Sequence, residues 1–390
     1  MGSSKRCIGC DSSYLRALDN RALPRGVASD SKPWPRCGEF VICEECGHTQ
    51  KIQDETWCAD VAQIYNGYEM YFLSGGSDQL VFDGAQPVPR IQRLFEKLCQ
   101  RVSLPARGKM LDVGCAIGST LRTFNSLFPR WELAGFDITT HSEATVRAIP
   151  GVTDFYSGSL DDITQQYDLV TMLFVVEHLP EPRQVLDQFR RLLKPGGLAW
   201  IHTSDFWTNP FDLTVVDHSS HFMVDTLAEM VERSGFEVID RNDNWNIKEI
   251  GVMARLPEAA AVGKVDQKKK AERLLGAPRR LSWLGDLVDQ VRAKAERARA
   301  GGGKLGVLGT SIAATWLANM LPAEVAFFVD EDRQRVGKMH MGRPVITPQE
   351  VRVEDPVVLA FPTFQAEKIQ AKLLKLHPRM DSIVPPPLAA

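Results

Sequence analysis

Four cysteines near the beginning of the chain are arranged as two closely spaced pairs. Cys7 and Cys10 form one CxxC pair, and Cys43 and Cys46 form a second pair after about 32 intervening residues. A CxxC pair places two thiolates on one turn, and two such pairs complete a tetrahedral zinc site. Because all four ligands would be protein sulfur atoms, the sequence predicts a closed, structural Zn²⁺ site. Four unrelated free thiols are the alternative.

A second group of reactive side chains lies in the middle of the chain. Asp217 directly precedes His218, and His178 lies about 40 residues upstream. A carboxylate beside an imidazole is typical of a general base that works near neutral pH. We therefore predict His218, Asp217 and His178 as catalytic residues. His221 and Phe222 follow in the same stretch and are predicted to contact the substrate.

The third informative segment is a glycine-containing turn at residues 111–118, with the sequence LDVGCAIG. An apolar strand pattern runs into Gly114, and a helical pattern begins after Gly118. Glycine permits the tight turn, and the helix N-terminus directs N–H groups at an anionic group. About 20 residues later Asp137 ends the next strand, where a carboxylate can bind both hydroxyls of a ribose.

This layout serves either a dinucleotide or S-adenosylmethionine, and three details favour the second ligand. Asp112 precedes the first glycine of the turn. Residues 168–179 resemble the fourth strand and following loop of class I methyltransferases, and residues 192–197 resemble the turn before their fifth strand. The three blocks occur in order over about 90 residues, so we predict S-adenosylmethionine as the cofactor. The alternative is a Rossmann-like fold without methyl transfer.

The residues predicted to bind the cofactor lie at the carboxyl ends of the predicted strands or just after them. They are Asp112, Gly114, Ala116, Gly118, Asp137, Ile138, Ser159, Leu160 and Leu173. Asp112 would orient water or the methionine amino group, and Asp137 would bind the ribose. Ile138 would lie under the adenine ring, and Leu173 would lie near the sulfonium.

Residues 108–255 alternate short apolar runs with amphipathic helical patterns, which predicts an α/β fold with a mostly parallel sheet and helices on both faces. The predicted strands are Lys109–Val113, Glu132–Phe136, Asp154–Tyr156, Tyr167–Leu173 and Leu198–Thr203, with an antiparallel pair at Phe236–Asp240 and Ile247–Arg255. Open sheets of this kind bind ligands at their carboxyl edge. The glycine turn and the histidines are expected to meet there.

Further units flank this sheet. Residues 1–60 have little apolar periodicity, so a metal would have to stabilise this segment, and we predict a zinc-binding module over residues 1–75. Residues 76–256 form the predicted cofactor domain. Residues 257–390 begin with a linker up to Lys270, continue in a helix at Leu281–Ala300, and then repeat the strand, glycine turn and helix pattern of a second Rossmann-like domain.

Composition and charge argue against several classes of function, although a local basic patch would still be compatible with them. Lys and Arg total 46 against 49 Asp and Glu, a net charge of −3, whereas nucleic-acid binders usually have a basic balance. The sequence contains neither an apolar run of about 18 residues nor a secretory signal at its start. We therefore expect a cytoplasmic protein with no nucleic-acid or membrane partner. The oligomeric state stays open between monomer and homodimer.

The order of parts resembles that of the sugar C-methyltransferases that act on nucleotide-activated keto-deoxysugars. Their acceptor loop commonly reads Tyr-x-Glu-His with an aromatic residue soon after, and residues 215–218 (VVDH) with Phe222 occupy that stretch here. The resemblance implies that His218 removes a proton alpha to a ketone of a nucleotide-linked sugar. It also implies that Tyr65, Tyr68 or Tyr71 closes over the sugar.

Two positions depart from the family pattern, because Val215 replaces the tyrosine and Asp217 replaces the glutamate. The lost hydroxyl makes an O-methyltransferase acting on a sugar or metabolite hydroxyl fit equally well, since that reaction needs only a base such as His218. Two other interpretations are an RNA methyltransferase with a zinc module and a non-catalytic cofactor-binding scaffold. The former predicts a basic surface, and the latter predicts that His218→Ala leaves function intact.

Overall fold

The computed structural model describes residues 6–68, 80–82, 87–257 and 267–388. Within these ranges, β-sheets of four, seven and six strands account for most of the strand residues. None of the helices in the described ranges combines the length and apolar character that a membrane span requires.

The N-terminal part is built from short strands and one helix. They are β1 (Leu15–Leu18), β2 (Gly26–Val27), β3 (Pro33–Trp34), β4 (Phe40–Cys43), β5 (Thr49–Lys51) and α1 (Glu55–Asn66). Asp54 caps α1 by accepting a hydrogen bond from the Trp57 backbone N–H at 2.7 Å. Strands β1, β4 and β5 form an antiparallel sheet whose fourth strand, Ser220–His221, comes from far along the chain.

A strand pair and a helix precede the central sheet: β6 (Leu80–Phe82), β7 (Pro87–Pro89) and α2 (Arg90–Arg101). The helix buries the apolar face that the sequence pattern indicates, through Ile91, Leu94, Phe95 and Leu98. The spacing of these apolar residues predicts a helix over Val88–Val102, and the structure forms it with slightly shorter bounds.

The central sheet alternates with helices along the chain. Its elements are β8 (Lys109–Val113), α3 (Ser119–Leu127), β9 (Glu132–Asp137), α4 (Glu143–Arg147), β10 (Val152–Ser157), β11 (Tyr167–Leu173), α5 (Pro182–Leu192), β12 (Leu193–Ser204), β13 (Ser220–His221), α6 (Val224–Arg233), β14 (Glu237–Asn242) and β15 (Glu249–Arg255). Strand β13 leaves this unit to pair with β5.

The strand order is β10-β9-β8-β11-β12-β15-β14, with five parallel strands and β15 antiparallel to both of its neighbours. This is the order of class I methyltransferases, so the predicted fold is confirmed. The turn predicted before the fifth strand, residues 192–197, lies partly inside β12, where the register against β11 shifts between Tyr167 and Leu169.

The C-terminal part consists of α7 (Gln267–Ala300), β16 (Leu305–Leu308), α8 (Ile312–Met320), β17 (Val325–Val329), β18 (Met339–His340), β19 (Arg343–Ile346), β20 (Val357–Val358), α9 (Thr363–Leu376) and β21 (Ser382–Ile383). Strands β19, β17, β16, β20 and β21 are parallel, and β18 adds an antiparallel edge, as a second Rossmann-like sheet predicts.

The predicted linker is partly wrong, because Gln267–Lys270 already belongs to α7. Arg273 explains this extension. Its guanidinium binds both carboxylate oxygens of Glu229 on α6 at 2.8 and 2.9 Å and donates to the Cys46 carbonyl. Lys, Ala and Glu are also good helix formers, so local propensity and this buried contact act together.

One hydrophobic core joins the parts of the molecule. It contains Ile42 of β4, Leu213 of the segment between β12 and β13, Leu287 of α7 and Val307 of β16, all fully or almost fully buried. The indole N–H of Trp316 on α8 donates to the Arg25 carbonyl at 3.1 Å. The flanking parts therefore pack against the loop that carries the histidines and contribute to its position.

Candidate active site

The glycine turn follows β8 and has the backbone conformation that its sequence predicts. Gly114 has φ +76°, and a Cβ there would lie 2.3 Å from Cγ2 of Val175. Gly118 has φ +80° and precedes α3. Ala116, where the family pattern has glycine, also has a positive φ of +46°. The turn thus brings backbone close to the end of β11.

Asp137 lies at the end of β9 beside this turn. Its Oδ2 accepts a hydrogen bond from the Ala116 N–H at 3.0 Å, and its Oδ1 accepts from the Thr139 N–H at 3.2 Å. The next residue, Ile138, is 68% exposed. The Asp137 carboxylate therefore lies beside the exposed apolar side chain of Ile138. A site that binds a ribose next to an adenine ring requires this arrangement.

Asp112 is buried inside β8 under the turn. Its Oδ1 accepts a hydrogen bond from Thr171 Oγ1 at 2.6 Å. Burial raises the pKa of Asp112 to about 7, although hydrogen bonds from Thr171 and Thr120 oppose this. A cation beside this carboxyl would favour its charged form, so the site suits the amino group of a bound amino acid.

Ser159 and Leu160, predicted to contact the adenine edge, follow β10, and Leu173, predicted near the sulfonium, ends β11. Ser159 Oγ accepts from the Asp161 N–H at 3.1 Å and caps a 3₁₀ turn at Leu160–Asp162. The Leu160 side chain is buried, and its carbonyl accepts from Arg191 at 2.6 Å. Leu173 is also buried. All nine predicted cofactor residues thus lie along one edge of the sheet.

His178 and His218 meet at this same edge. His178 ends a 3₁₀ turn at Val176–His178 after β11, and His218 lies between a 3₁₀ turn at Pro210–Thr214 and β13. Their ring centroids are 4.7 Å apart with the ring planes perpendicular. The structure therefore brings together the two histidines that the sequence predicts as catalytic.

His218 is bonded to a carboxylate, but this is not its chain neighbour Asp217. Its Nδ1–H donates to Asp212 Oδ1 at 2.9 Å, and His221 Nδ1–H donates to Asp212 Oδ2 at 2.7 Å. Burial would raise the pKa of Asp212, but the two histidines hold it well below its usual range. Asp212 is therefore an acceptor, and Nε2 of His218 is left to accept a proton.

Asp217 instead pairs with His178. The Nδ1 atom of His178 lies 3.4 Å from Asp217 Oδ2 and 3.1 Å from its carbonyl oxygen. Burial would lower the pKa of His178, but Asp217 outweighs it and raises that pKa to about 9. Ser29 completes the pair, because its N–H and Oγ–H donate to Asp217 at 2.9 and 2.5 Å. The raised pKa favours the imidazolium form of His178 at neutral pH.

Tyrosines from the N-terminal part cover this pair. Ser29 Oγ lies 3.2 Å from the Tyr68 hydroxyl, and the ring centroids of Tyr65 and Tyr68 are 5.5 Å apart. The Tyr65 ring meets His178 edge-on at 6.4 Å. Burial and nearby carboxylates raise the pKa of Tyr65 above its ordinary value. Tyr71 falls outside the described residues.

His221 and Phe222 are not placed to touch a substrate. Both side chains are almost completely buried, at 0% and 1% exposed. Phe222 packs in the core beneath the sheet and against the His48 ring at 5.0 Å. The predicted substrate contacts at these two positions are corrected, because His221 donates to Asp212 inside the protein and Phe222 packs in the hydrophobic core.

Asp212 and Ser29 are site residues that the sequence prediction missed. Asp212 precedes His218 by six positions in an apolar stretch, and Ser29 lies about 190 residues upstream of its partner. Neither spacing is a known motif. Only the folded chain shows that they complete the two aspartate–histidine pairs.

The four paired cysteines converge at the opposite end of the N-terminal sheet. Cys7 and Cys46 have sulfur atoms 3.6 Å apart, as do Cys10 and Cys43, and all four sulfurs lie within 4.8 Å of one another. Zn–S bonds of about 2.3 Å in a tetrahedron separate sulfurs by about 3.8 Å. The cluster therefore fits the Zn²⁺ ion that the spacing predicts.

Comparison with known proteins places the central part of the chain among methyltransferases. Residues 87–241 match the family described as methyltransferase domain. The ubiquinone biosynthesis O-methyltransferase of Cereibacter sphaeroides is 27% identical over 166 residues, which cover 35% of this chain and 64% of that protein. C-methyltransferase NovU of Streptomyces niveus is 22% identical over 214 residues, 52% of this chain and 47% of that protein.

The chain thus spans less than two thirds of the length of these curated relatives. Among solved structures, the glycopeptide N-methyltransferase MtfA complexed with S-adenosyl-L-methionine is 15% identical and covers 47% of this chain and 99% of its own, with a TM-score of 0.35. A likeness at that level adds nothing to the assignment of the fold, which depends on the strand order.

Proposed function

We propose that this chain, in which residues 87–241 are an S-adenosylmethionine-dependent methyltransferase domain, methylates a small molecule that is a nucleotide-activated keto-deoxysugar. The observation that carries the proposal is the pair of dyads Asp212–His218 and Asp217–His178, which meet beside the cofactor turn. When bound, the cofactor supplies an electrophilic methyl group. The protein must then create a nucleophile on the acceptor.

In this proposal His218 is the general base. The hydrogen bond from Nδ1–H to Asp212 selects the tautomer in which Nε2 carries a lone pair. That atom takes the proton from the carbon alpha to the acceptor ketone, and Asp212 stabilises the imidazolium that results. The electron pair of the broken C–H bond moves into the enolate, which is the nucleophile for methyl transfer.

His178 would stabilise the negative charge that develops on the acceptor oxygen. Its Nδ1 side is held by Asp217, so a charged Nε2–H remains to donate to the enolate oxygen. The family tyrosine position is Val215, which is buried in the core and presents no hydroxyl. The imidazolium of His178 thus supplies a donor that position 215 does not.

The same dyads support a second candidate, transfer to a hydroxyl oxygen of a sugar or another metabolite. Two observations favour it: Val215 replaces the family tyrosine, and the curated relatives include ubiquinone biosynthesis O-methyltransferases. Only His218 is needed as a base in that reaction. Solvent exchange at the acceptor carbon distinguishes the two candidates, since only C-methylation requires an enolate.

The proposal includes a structural Zn²⁺ ion held by Cys7, Cys10, Cys43 and Cys46 within a module of residues 1–75. Strand β5 leads from this cluster directly to β13 in the acceptor loop. The metal would thereby keep the N-terminal sheet rigid against the residues that carry out the transfer. Residues 76–256 would bind the cofactor, and residues 257–390 would form the third part.

The test is a panel of nucleotide-linked keto and hydroxy sugars, quinols and RNA, each incubated with trideuteromethyl S-adenosylmethionine. A keto-deoxysugar nucleotide should gain one trideuteromethyl group, and without cofactor its alpha proton should exchange with deuterated solvent. His218→Ala should abolish both signals, whereas the matched variant His377→Ala, in the C-terminal part, should retain them. Methylation of RNA alone, or unchanged turnover by His218→Ala, would refute the proposal.

A further inference from the structure

Glu177 is a buried carboxyl group at the candidate active site that the proposed chemistry does not use. It lies in the middle of the 3₁₀ turn at Val176–His178 and is 3% exposed. Its backbone carbonyl accepts hydrogen bonds from the N–H and the hydroxyl of Ser219 at 2.7 and 3.1 Å. The backbone of Glu177 is therefore held against the segment that carries His218.

The side chain of Glu177 lies close to the histidines of both dyads. One of its carboxyl oxygens and one ring nitrogen from each of His178 and His218 all lie within 4.8 Å of one another. The Nδ1 atoms of these rings are engaged by Asp217 and Asp212. A small molecule that lies against the two rings therefore also comes within reach of the Glu177 carboxyl.

The Oε2 atom of Glu177 is buried, yet no group in the described part of the chain donates a hydrogen bond to it. The other two carboxyls at these histidines have partners on both oxygens, because Asp212 accepts from two histidines and Asp217 accepts twice from Ser29. A buried polar atom without a partner is costly and rare, and a ligand that pairs with it removes the cost. The position beside Oε2 is therefore suited to a group of the ligand.

Two kinds of ligand would complete this carboxyl. One is an N–H or O–H donor on the acceptor, and the other is a divalent cation held jointly with the two histidines. A cation requires both imidazoles in the neutral form, and the raised pKa of His178, about 9, opposes this at neutral pH. A carboxyl accepts a hydrogen bond whether or not it is ionised, so a donor has no such requirement. The surroundings of Glu177 thus favour a hydrogen-bond donor.

We propose that Glu177 selects the acceptor: its carboxyl accepts a hydrogen bond from a hydroxyl or amino group that the acceptor carries beside the reacting centre. This inference rests on the proposed methyl transfer at His218 and His178 and adds a requirement on the substrate. An acceptor without the donor leaves the Glu177 carboxyl buried and unpaired, so it is methylated more slowly. Glu177 is therefore a specificity-determining residue.

The test compares three nucleotide-linked keto-deoxysugars that differ only in carrying a hydroxyl group, an amino group or hydrogen on a carbon adjacent to the ketone. In wild type, kcat/KM for the hydrogen analogue should be at least about tenfold below that for the better of the two donor-bearing sugars. Glu177→Ala should remove most of this preference, whereas a merely structural effect slows all three acceptors equally. The matched control is Glu181→Ala, which changes an exposed carboxylate just after the same turn and should keep the preference.

Glu177→Gln separates the two possible donors, because it keeps an acceptor oxygen but cannot carry a negative charge. It should retain most of the preference for a hydroxyl-bearing sugar and lose most of the preference for an ammonium-bearing one. An equal loss of kcat/KM on all three acceptors in Glu177→Ala would overturn the inference, as would a wild-type enzyme without the preference. Methyl transfer by the zinc-loaded protein that depends on added Mg²⁺ or Mn²⁺ would assign the position to a cation and overturn it too.

A measurement without acceptor keeps this inference separate from the proposed function. A carboxyl retained for a ligand does not stabilise the free protein, so Glu177→Met should keep or raise the melting temperature. The comparison variant Glu249→Gln should lower it, because Glu249 is buried with protein partners in Arg90, His202 and Asn246. A fall in Glu177→Met as large as in Glu249→Gln would overturn the inference, even if no acceptor is found. A stable Glu177→Met together with no methylated acceptor would refute the proposed function alone.

Discussion

Asp212 and His218 are joined by a buried hydrogen bond of 2.9 Å, although the carboxylate next to His218 in the chain is that of Asp217. The carboxylate behind a catalytic imidazole orients the ring and stabilises its charged form. We expect Asp212→Asn to lower kcat by about 10²- to 10³-fold, with a smaller change in KM.

The measurement is steady-state kinetics with the acceptor found in the panel, alongside circular dichroism to establish folding. Thr208→Ala is the matched control, since its hydroxyl donates to Asp205 at 2.6 Å earlier in the same segment and bonds to neither dyad. Near-normal turnover by a folded Asp212→Asn enzyme would show that Asp212 does not support the base.

A second prediction concerns the alkaline side of the rate profile. His178 must be protonated to donate to the developing oxyanion, and Asp217 raises the pKa of His178 to about 9. Activity should therefore fall as the pH rises through about 9. In Asp217→Asn the limb should move to lower pH, because the carboxylate that favours the imidazolium is lost.

The Asp217–His178 pair also makes the stability of the fold depend on pH. Like the activity, this stability should fall as the pH rises. The contribution of the pair is complete below the ordinary histidine pKa of about 6.5 and is lost as the pH rises through about 9. Thermal unfolding between pH 6 and 10 should show this loss in wild type and a smaller one in Asp217→Asn. An alkaline limb that stays in place in Asp217→Asn would contradict the assignment.

A third prediction concerns the pH dependence of cofactor binding. Burial raises the pKa of Asp112 to about 7, so this carboxyl gains its charge between pH 6 and 8. If it binds the methionine amino group, the affinity for S-adenosylmethionine should rise about tenfold over that range. Calorimetry should show that Asp112→Asn binds weakly and with little pH dependence.

Asp137→Ala is the comparison variant, because it removes the predicted ribose contact. It should weaken binding strongly at every pH in the range. If the affinity of Asp112→Asn for S-adenosylmethionine still depended on pH, the titrating group would be a residue other than Asp112.

A fourth prediction tests how closely the turn approaches β11. Gly114→Ala would introduce a Cβ 2.3 Å from Val175 at a φ of +76°. We expect a loss of about 1–3 kcal/mol in unfolding free energy and at least a tenfold loss of cofactor affinity. Gly196→Ala is matched in φ, at +76°, but a Cβ there meets no atom within 4 Å.

The difference between the two variants isolates the steric contact from backbone strain. Val175→Ala should restore part of the binding in the Gly114→Ala background. Equal effects of Gly114→Ala and Gly196→Ala on cofactor affinity would mean that the turn does not contact the ligand.

A fifth prediction concerns the cysteine cluster. Purified protein should contain about one zinc per chain by elemental analysis. Cys43→Ser should lose the metal and lower both the melting temperature and methyl transfer, because β4 and β5 connect the cluster to β13. Cys99→Ser changes an exposed thiol on α2 and should retain the metal. Full zinc in Cys43→Ser would place the ion elsewhere.

Local pattern alone was sufficient for the parts of the fold that depend on chain neighbours. The glycine turn before α3, the alternation of β8 to β12 with helices and the CxxC spacing each depend on residues within one or two turns of one another. Such patterns specify the carboxyl edge as the place where Asp137 and the histidines gather. They do not specify which carboxylate each histidine contacts.

Tertiary structure decided those contacts. His218 bonds to Asp212 rather than to its chain neighbour Asp217, because the 3₁₀ turn at Pro210–Thr214 folds back onto the segment that carries His218. Strand β13 pairs with β5 rather than with the cofactor sheet, and the contacts around it bury His221 against Asp212 and Phe222 in the core. Asp212 and His218 are only six positions apart, whereas β5 and β13 are distant in the chain. Both contacts depend on how buried groups are paired when separate elements pack together, which no local periodicity encodes.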